Sequence, residues 1–157
     1  VTVKDVELIE TTATKEFLTG VTVTGAIADV TIDGLRAFML GAANTSAIVT
    51  SAHAQVRLII KNCVITGTHT GATIDLSAAA CVHAMVYNNI LENQETNAGL
   101  CIKAHASGTG MTANNLAAGT KNNTHTIVGA AMHHCGNIGT DTVATGGVVT
   151  PAAASFT

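Results

Sequence analysis

The sequence predicts an all-β chain wound into a parallel β-helix, a solenoid of about five to six coils of 22–29 residues. Three observations predict it. Val, Ile and Thr dominate short runs, and clusters of Gly, Asn, Asp, Ser and Thr separate them. No segment holds an i, i+3, i+4, i+7 apolar pattern for three turns, so helices are not expected. A four-residue pattern recurs down the chain: VKDV (3–6), IDGL (32–35), IKNC (60–63), YNNI (87–90), ANNL (113–116) and CGNI (135–138).

Taken in order, the expected strands are VTVKDVELI (1–9), GVTVTGAIADVTI (20–32), AIVTSA (47–52), QVRLIIKNCVITG (55–67), ATIDL (72–76), GLCIKA (99–104) and HTIVGAA (125–131). The segment AAACVHAM (78–85) has helical composition but lacks the length and caps of a helix. GTGMTANN (108–115) opens a strand and a corner; no helix follows to make it a phosphate cradle. Each coil then needs at least two strands and two turns. The first residue falls inside an expected strand, which implies an upstream portion.

The third position of the repeat runs Asp5, Gly34, Asn62, Asn89, Asn115, Asn137. Asn tolerates the left-handed backbone of a tight corner, and its amide both donates and accepts. Asn62, Asn89, Asn115 and Asn137 are therefore expected to stack as one hydrogen-bonded ladder. Cys63 would share an apolar column with Val6, Leu35, Ile90, Leu116 and Ile138.

Composition narrows the function classes. The 157 residues include 26 Ala, 25 Thr and 15 Gly, and only 11% are charged. Mean hydropathy is +0.40, yet no apolar run approaches the 18 residues of a spanning helix. Seven Lys and Arg stand against ten Asp and Glu, the wrong balance for a nucleic-acid binder. With no Trp and one Tyr, the chain lacks the rings on which sugars stack. The four Cys (63, 81, 101, 135) contain no CxxC pair and read as free, mostly buried thiols.

VRLIIKNCVITG and MVYNNILEN resemble right-handed parallel β-helix proteins of the pectate-lyase-like architecture. The low-charge Ala/Thr/Gly texture and the tail GGVVTPAAASFT are similar to β-helix virion proteins of tailed bacteriophages, whether capsid-associated, tailspike or fibre. The resemblance covers roughly residues 1–140. It implies a structural virion subunit, assembled as a homotrimer with other virion proteins, without cofactor, nucleic acid or membrane partner. The alternative it implies is a receptor-binding spike or an enzyme that degrades host polysaccharide.

No catalytic or metal residues are assigned from the residue types. Glycoside hydrolysis needs two carboxylates facing one groove; here no adjacent Asp pair occurs, and only Asp33 with Glu7 or Asp5 could stack one coil apart. His133, His134 and Cys135 offer three metal ligands, but neighbours on a strand point to opposite faces. One His per chain at a symmetry axis is the form such a site would take. A Thr array of the ice-binding kind would need TxT on successive coils of one flat face, and only Thr22 and Thr24 form a clear pair within a strand.

The boundary is drawn at residue 140: 1–140 form the β-helix, and 141–157 a last strand and a tail. The tail holds the single Pro and one of four aromatics. Val148, Val149 and Phe156 are expected to cap the open end or dock on a neighbouring subunit.

Overall fold

The computed structural model describes residues 1–12, 17–42, 44–50, 53–95, 100–118, 127–128 and 132–139. Among these, every regular element is a strand, and all pair in parallel across coils. Sheet A stacks β1 (Thr2–Lys4), β4 (Ala28–Asp33), β7 (Val56–Lys61), β10 (Ala84–Tyr87), β13 (Gly110–Ala113) and β16 (Met132–Cys135). Sheet B stacks β2 (Glu7–Ile9), β5 (Arg36–Met39), β8 (Val64–Gly67), β11 (Ile90–Asn93), β14 (Leu116–Ala118) and β17 (Ile138–Gly139). Sheet C stacks β3 (Thr19–Val23), β6 (Ser46–Thr50), β9 (Ala72–Leu76), β12 (Leu100–Ala104) and β15 (Ile127–Val128).

The molecule is thus a parallel β-solenoid with three strands per coil, one more than the minimum read from the sequence. About four turns have a neighbour on both sides, fewer than the five to six expected; the rows at the two ends are paired on one side only.

Alternation builds the core. In β7, Leu58 and Ile60 are fully buried while Arg57 and Lys61 point outward. The register lays Ile32 against Ile60 and Ile60 against Val86, one coil apart. Ile48, Ile74 and Ile102 form the matching column in sheet C. Each such side chain removed from water stabilises the fold by roughly 1.5–3 kcal/mol.

The corner between sheets A and B explains the repeat. Lys4, Asp33, Lys61, Tyr87, Ala113 and Cys135 end the sheet A strands in register. The next residue turns the chain with positive φ: Asp5 (51°), Gly34 (75°), Asn62 (55°), Asn88 (55°), Asn114 (51°) and Gly136 (59°). For other L-residues this backbone costs roughly 1–2 kcal/mol, so the position selects Asp, Asn and Gly. Packing adds a constraint at Gly136, where a Cβ would lie 2.3 Å from Asn114 Oδ1. The corner recurs after 29 residues from Asp5, then 28, 26, 26 and 22, so the coils shorten along the chain.

Candidate functional site

One residue past the left-handed corner, the chain points inward. That column reads Val6, Leu35, Cys63, Asn89, Asn115 and Asn137. Three of the four expected ladder residues meet here. Asn115 Oδ1 accepts the Asn89 backbone N–H (3.1 Å) and its Nδ2 (2.9 Å). Asn137 Oδ1 accepts the same pair from Asn115, at 3.0 and 2.8 Å. Asn89 Oδ1 ends the run on the Cys63 N–H at 2.9 Å. The second amide hydrogens go to backbone carbonyls, of Ile60, Val86 and Thr112. All three side chains are buried, so each bond replaces a costly unmet group.

Asn62 does not belong to this ladder. It occupies the exposed corner one residue earlier, above Gly34 and below Asn88, and its Nδ2 donates to Asp33 Oδ1 at 2.8 Å. The ladder register slips by one between the third and fourth coils because YNNI carries two consecutive Asn, one for each column. The same slip misplaces Cys63. Its column partners are Val6, Leu35 and Asn89, whereas Ile90, Leu116 and Ile138 follow the ladder and face outward, 50%, 43% and 50% exposed.

The corner between sheets B and C buries a different set. Glu10, 3% exposed, accepts from Phe17 N–H (2.7 Å), Gly41 N–H (2.8 Å) and Asn44 Nδ2 (3.0 Å). Burial alone would raise its pKa; the hydrogen bonds from Asn44, Gly41 and Phe17 together outweigh that and hold it below the usual carboxylate range. Two coils on, His69 is fully buried and neither ring nitrogen has a hydrogen-bond partner. Desolvation pushes its pKa down to about 4, with the Glu10 charge pulling weakly the other way. Asn93 closes the corner by accepting the His69 N–H and donating to the carbonyls of His69, Gly71 and Leu100. Sequence reasoning missed Glu10 and His69, because neither sits in a recurring motif.

Several remaining carboxylates have partners of their own. Asp29 receives the Arg57 guanidinium through two bonds of 2.5 and 2.6 Å, and that pairing lowers its pKa. Asp33 is held by Asn62 and by Lys61 at 3.3 Å. Asp75 Oδ1 accepts the Ser77 N–H at 2.9 Å. The pairing of Asp33 with Glu7 does not form, since Asp33 ends a sheet A strand and Glu7 begins a sheet B strand. Asp5, Val6, Glu7, Gly34 and Arg36 line a shallow groove at the first A–B corner.

Strand β16 sends His133 and Cys135 outward and His134 to the inner side, where its Nδ1 lies 2.7 Å from Thr112 Oγ1. Among the described residues, no three His, Cys, Asp or Glu gather as metal ligands. All four Cys are free; Cys63, Cys81 and Cys101 are buried and Cys135 is exposed. Burial pushes all three inner thiols up, Cys101 to about 12, which leaves them unreactive.

Among the described residues, the outward face of sheet B carries an aligned apolar column. The register stacks Glu7, Arg36, Val64, Ile90, Leu116 and Ile138 in one outward column. Two residues along, Ile9, Phe38, Thr66, Glu92 and Ala118 form a second. Val148, Val149 and Phe156, the tail positions expected to make assembly contacts, lie outside the described residues. Comparison with protein-family models, with curated proteins and with solved structures finds no match.

Proposed function

We propose that this chain is a structural protein that works by assembly, a rigid β-solenoid subunit of a virion of the capsid-associated, decoration or tail-fibre kind. The observation that carries the reading is the outer face of sheet B. Ile9, Phe38, Ile90, Leu116 and Ile138, each 37–50% exposed, ride on a rigid ladder of backbone hydrogen bonds. Aligned apolar side chains on a flat parallel sheet favour contact with another protein surface. The partners of Asp29, Asp33, Asp75 and Glu10 fit a structural duty for these carboxylates. The phage-type resemblance in the sequence supports the same reading, together with its extracellular particle and its homo-oligomeric state.

The test is isolation of the protein from its native source. Copurification with a particle in fixed stoichiometry is expected; recovery as a free monomer would overturn the reading. A second reading, a spike acting on host polysaccharide, draws on the groove where Asp5 and Glu7 meet Arg36. Glycan binding or cleavage abolished by Glu7→Gln would favour it.

A further inference from the structure

We propose that the outer face of sheet B is a self-association surface that takes a second copy of this chain, with the two solenoid axes antiparallel about a two-fold. This rests on the assembly reading above and names its face and partner.

The charges on the face choose the arrangement. Arg36 makes no ion pair among the described residues, although it stands in a column otherwise apolar from Val64 to Ile138. Glu92 lies two rows away in the second column, so the two do not reach each other within one chain. If two copies stacked in parallel, equal rows would meet. Arg36 would face Arg36 or Phe38, and Glu92 would face Glu92 or Ile90, so neither would gain an opposite charge across the interface.

Reversing one copy pairs the first row with the sixth, the second with the fifth and the third with the fourth. Val64 then meets Ile90 of the second copy, and Arg36 meets Leu116. The second copy's Glu92 falls one row from Arg36 and one outward position along the strand. That is about 8 Å on a sheet with rows ~4.8 Å apart, within reach of an arginine side chain. The two-fold makes this pair twice and sets Val64 of each copy on Ile90 of the other at the centre of the face. Glu7 lies at the rim, where water can reach it.

The face spans six rows, about 24 Å, by roughly 13 Å of strand. That footprint is small beside the ~800 Å² per partner of a stable complex, so a weak pair is expected, with a dissociation constant in the micromolar range. Weak pairing suits a subunit that assembles through several contacts at once.

Sedimentation equilibrium of the whole chain from about 1 to 300 μM, with melting and circular dichroism as folding controls, tests the proposal. The expected result is a monomer–dimer equilibrium. Ile90→Asp should weaken it at least tenfold, and Arg36→Glu or Glu92→Arg alone should do likewise. The double variant Arg36→Glu/Glu92→Arg restores both cross-pairs and should return the constant to within threefold. These outward substitutions leave the core untouched. A trimer, single-charge variants without effect, or a double variant no better than the singles would overturn the face and its two-fold. Assembly that persists unchanged in all variants leaves the structural reading standing. A chain monomeric at every concentration overturns the self-association face, and the structural reading is then decided by copurification with a particle.

Discussion

Asn89, Asn115 and Asn137 at the A–B corner, and Glu10, Asn44, His69 and Asn93 at the B–C corner, are polar groups buried in the same narrow core. At the first corner each ladder oxygen accepts from the coil below, and each second amide hydrogen reaches a carbonyl. At the second, Glu10 and Asn93 are well bonded, while Asn44 Oδ1 and both His69 ring nitrogens have no partner. The difference lies in repetition. Identical amides one coil apart supply donor and acceptor to each other by translation alone. A column of unlike residues on loops of unequal length has no such rule, so each group depends on a local solution. The regular corner should therefore be rigid and insensitive to pH, and the irregular one the place where acid acts.

The largest expected effect comes from breaking the regular corner. Asn115→Leu strips the acceptor from the Asn89 N–H and amide and withdraws donors from Val86 and Asn137. Stranded buried groups cost roughly 1–3 kcal/mol each, so a loss of about 4 kcal/mol is expected in denaturant unfolding. A loss below about 1 kcal/mol would show that the ladder contributes little.

Next is acid at the irregular corner. An unfolded His titrates near 6.5, and His69 in the fold near 4. Because the folded value is depressed, the stability of the neutral ring is whole above about pH 6.5 and drains as pH falls towards 4. The full loss is about 3 kcal/mol. Glu10 adds to it lower down, since a carboxylate held below its ordinary range loses its contribution as it protonates. In His69→Leu the urea midpoint should stay flat from pH 6.5 to 5, where the parent chain already declines. At pH 7 the substitution should be near neutral, because it removes a buried polar group without partners. Parallel decline of both proteins would remove His69 as the cause.

Glu10→Gln is smaller. An amide offers one acceptor oxygen to the three donors of Phe17, Gly41 and Asn44 and turns its own hydrogens towards one of them. About 2 kcal/mol should be lost at pH 7, shrinking as pH falls and the parent carboxylate protonates. A loss independent of pH would mean that the charge is not what holds the loop.

The coil was legible because the A–B corner admits so few residue types; Asp5, Gly34, Asn62, Asn88, Asn114 and Gly136 mark it in each coil described. The third strand per coil was not legible. Only two residues, Asn62 and Cys63, separate β7 from β8, so residues 55–67 read as one run. The ladder register was legible only in part. The doublets Asn88–Asn89 and Asn114–Asn115 fill the corner and the inward column at once. Alternation decides between them: Leu58, Ile60, Cys63 and Ile65 point inward, which aligns Cys63 with Asn89 and not with Ile90. Glu10 and His69 lie on loops between sheets B and C that share no motif, so no pattern announced them.

The smallest effect sharpens the distinction between the two adjacent Asn columns. Asn62 is exposed, with φ of 55°, and its side-chain amide donates to the Asp33 carboxylate at the rim of the corner. Its value to the fold is thus mainly that of a residue at ease in a left-handed turn. Asn62→Ala should cost about 1 kcal/mol through the backbone alone, and Asn62→Gly should cost less, because glycine adopts the turn freely. Both variants should raise the Asp33 pKa towards its ordinary value, since the Asn62 amide is the largest influence lowering it. Nuclear magnetic resonance titration of Asp33 beside thermal unfolding separates the two roles. If Asn62→Gly were as damaging as Asn115→Leu, Asn62 would be contributing to the core after all, and the one-residue offset between corner and ladder would be wrong.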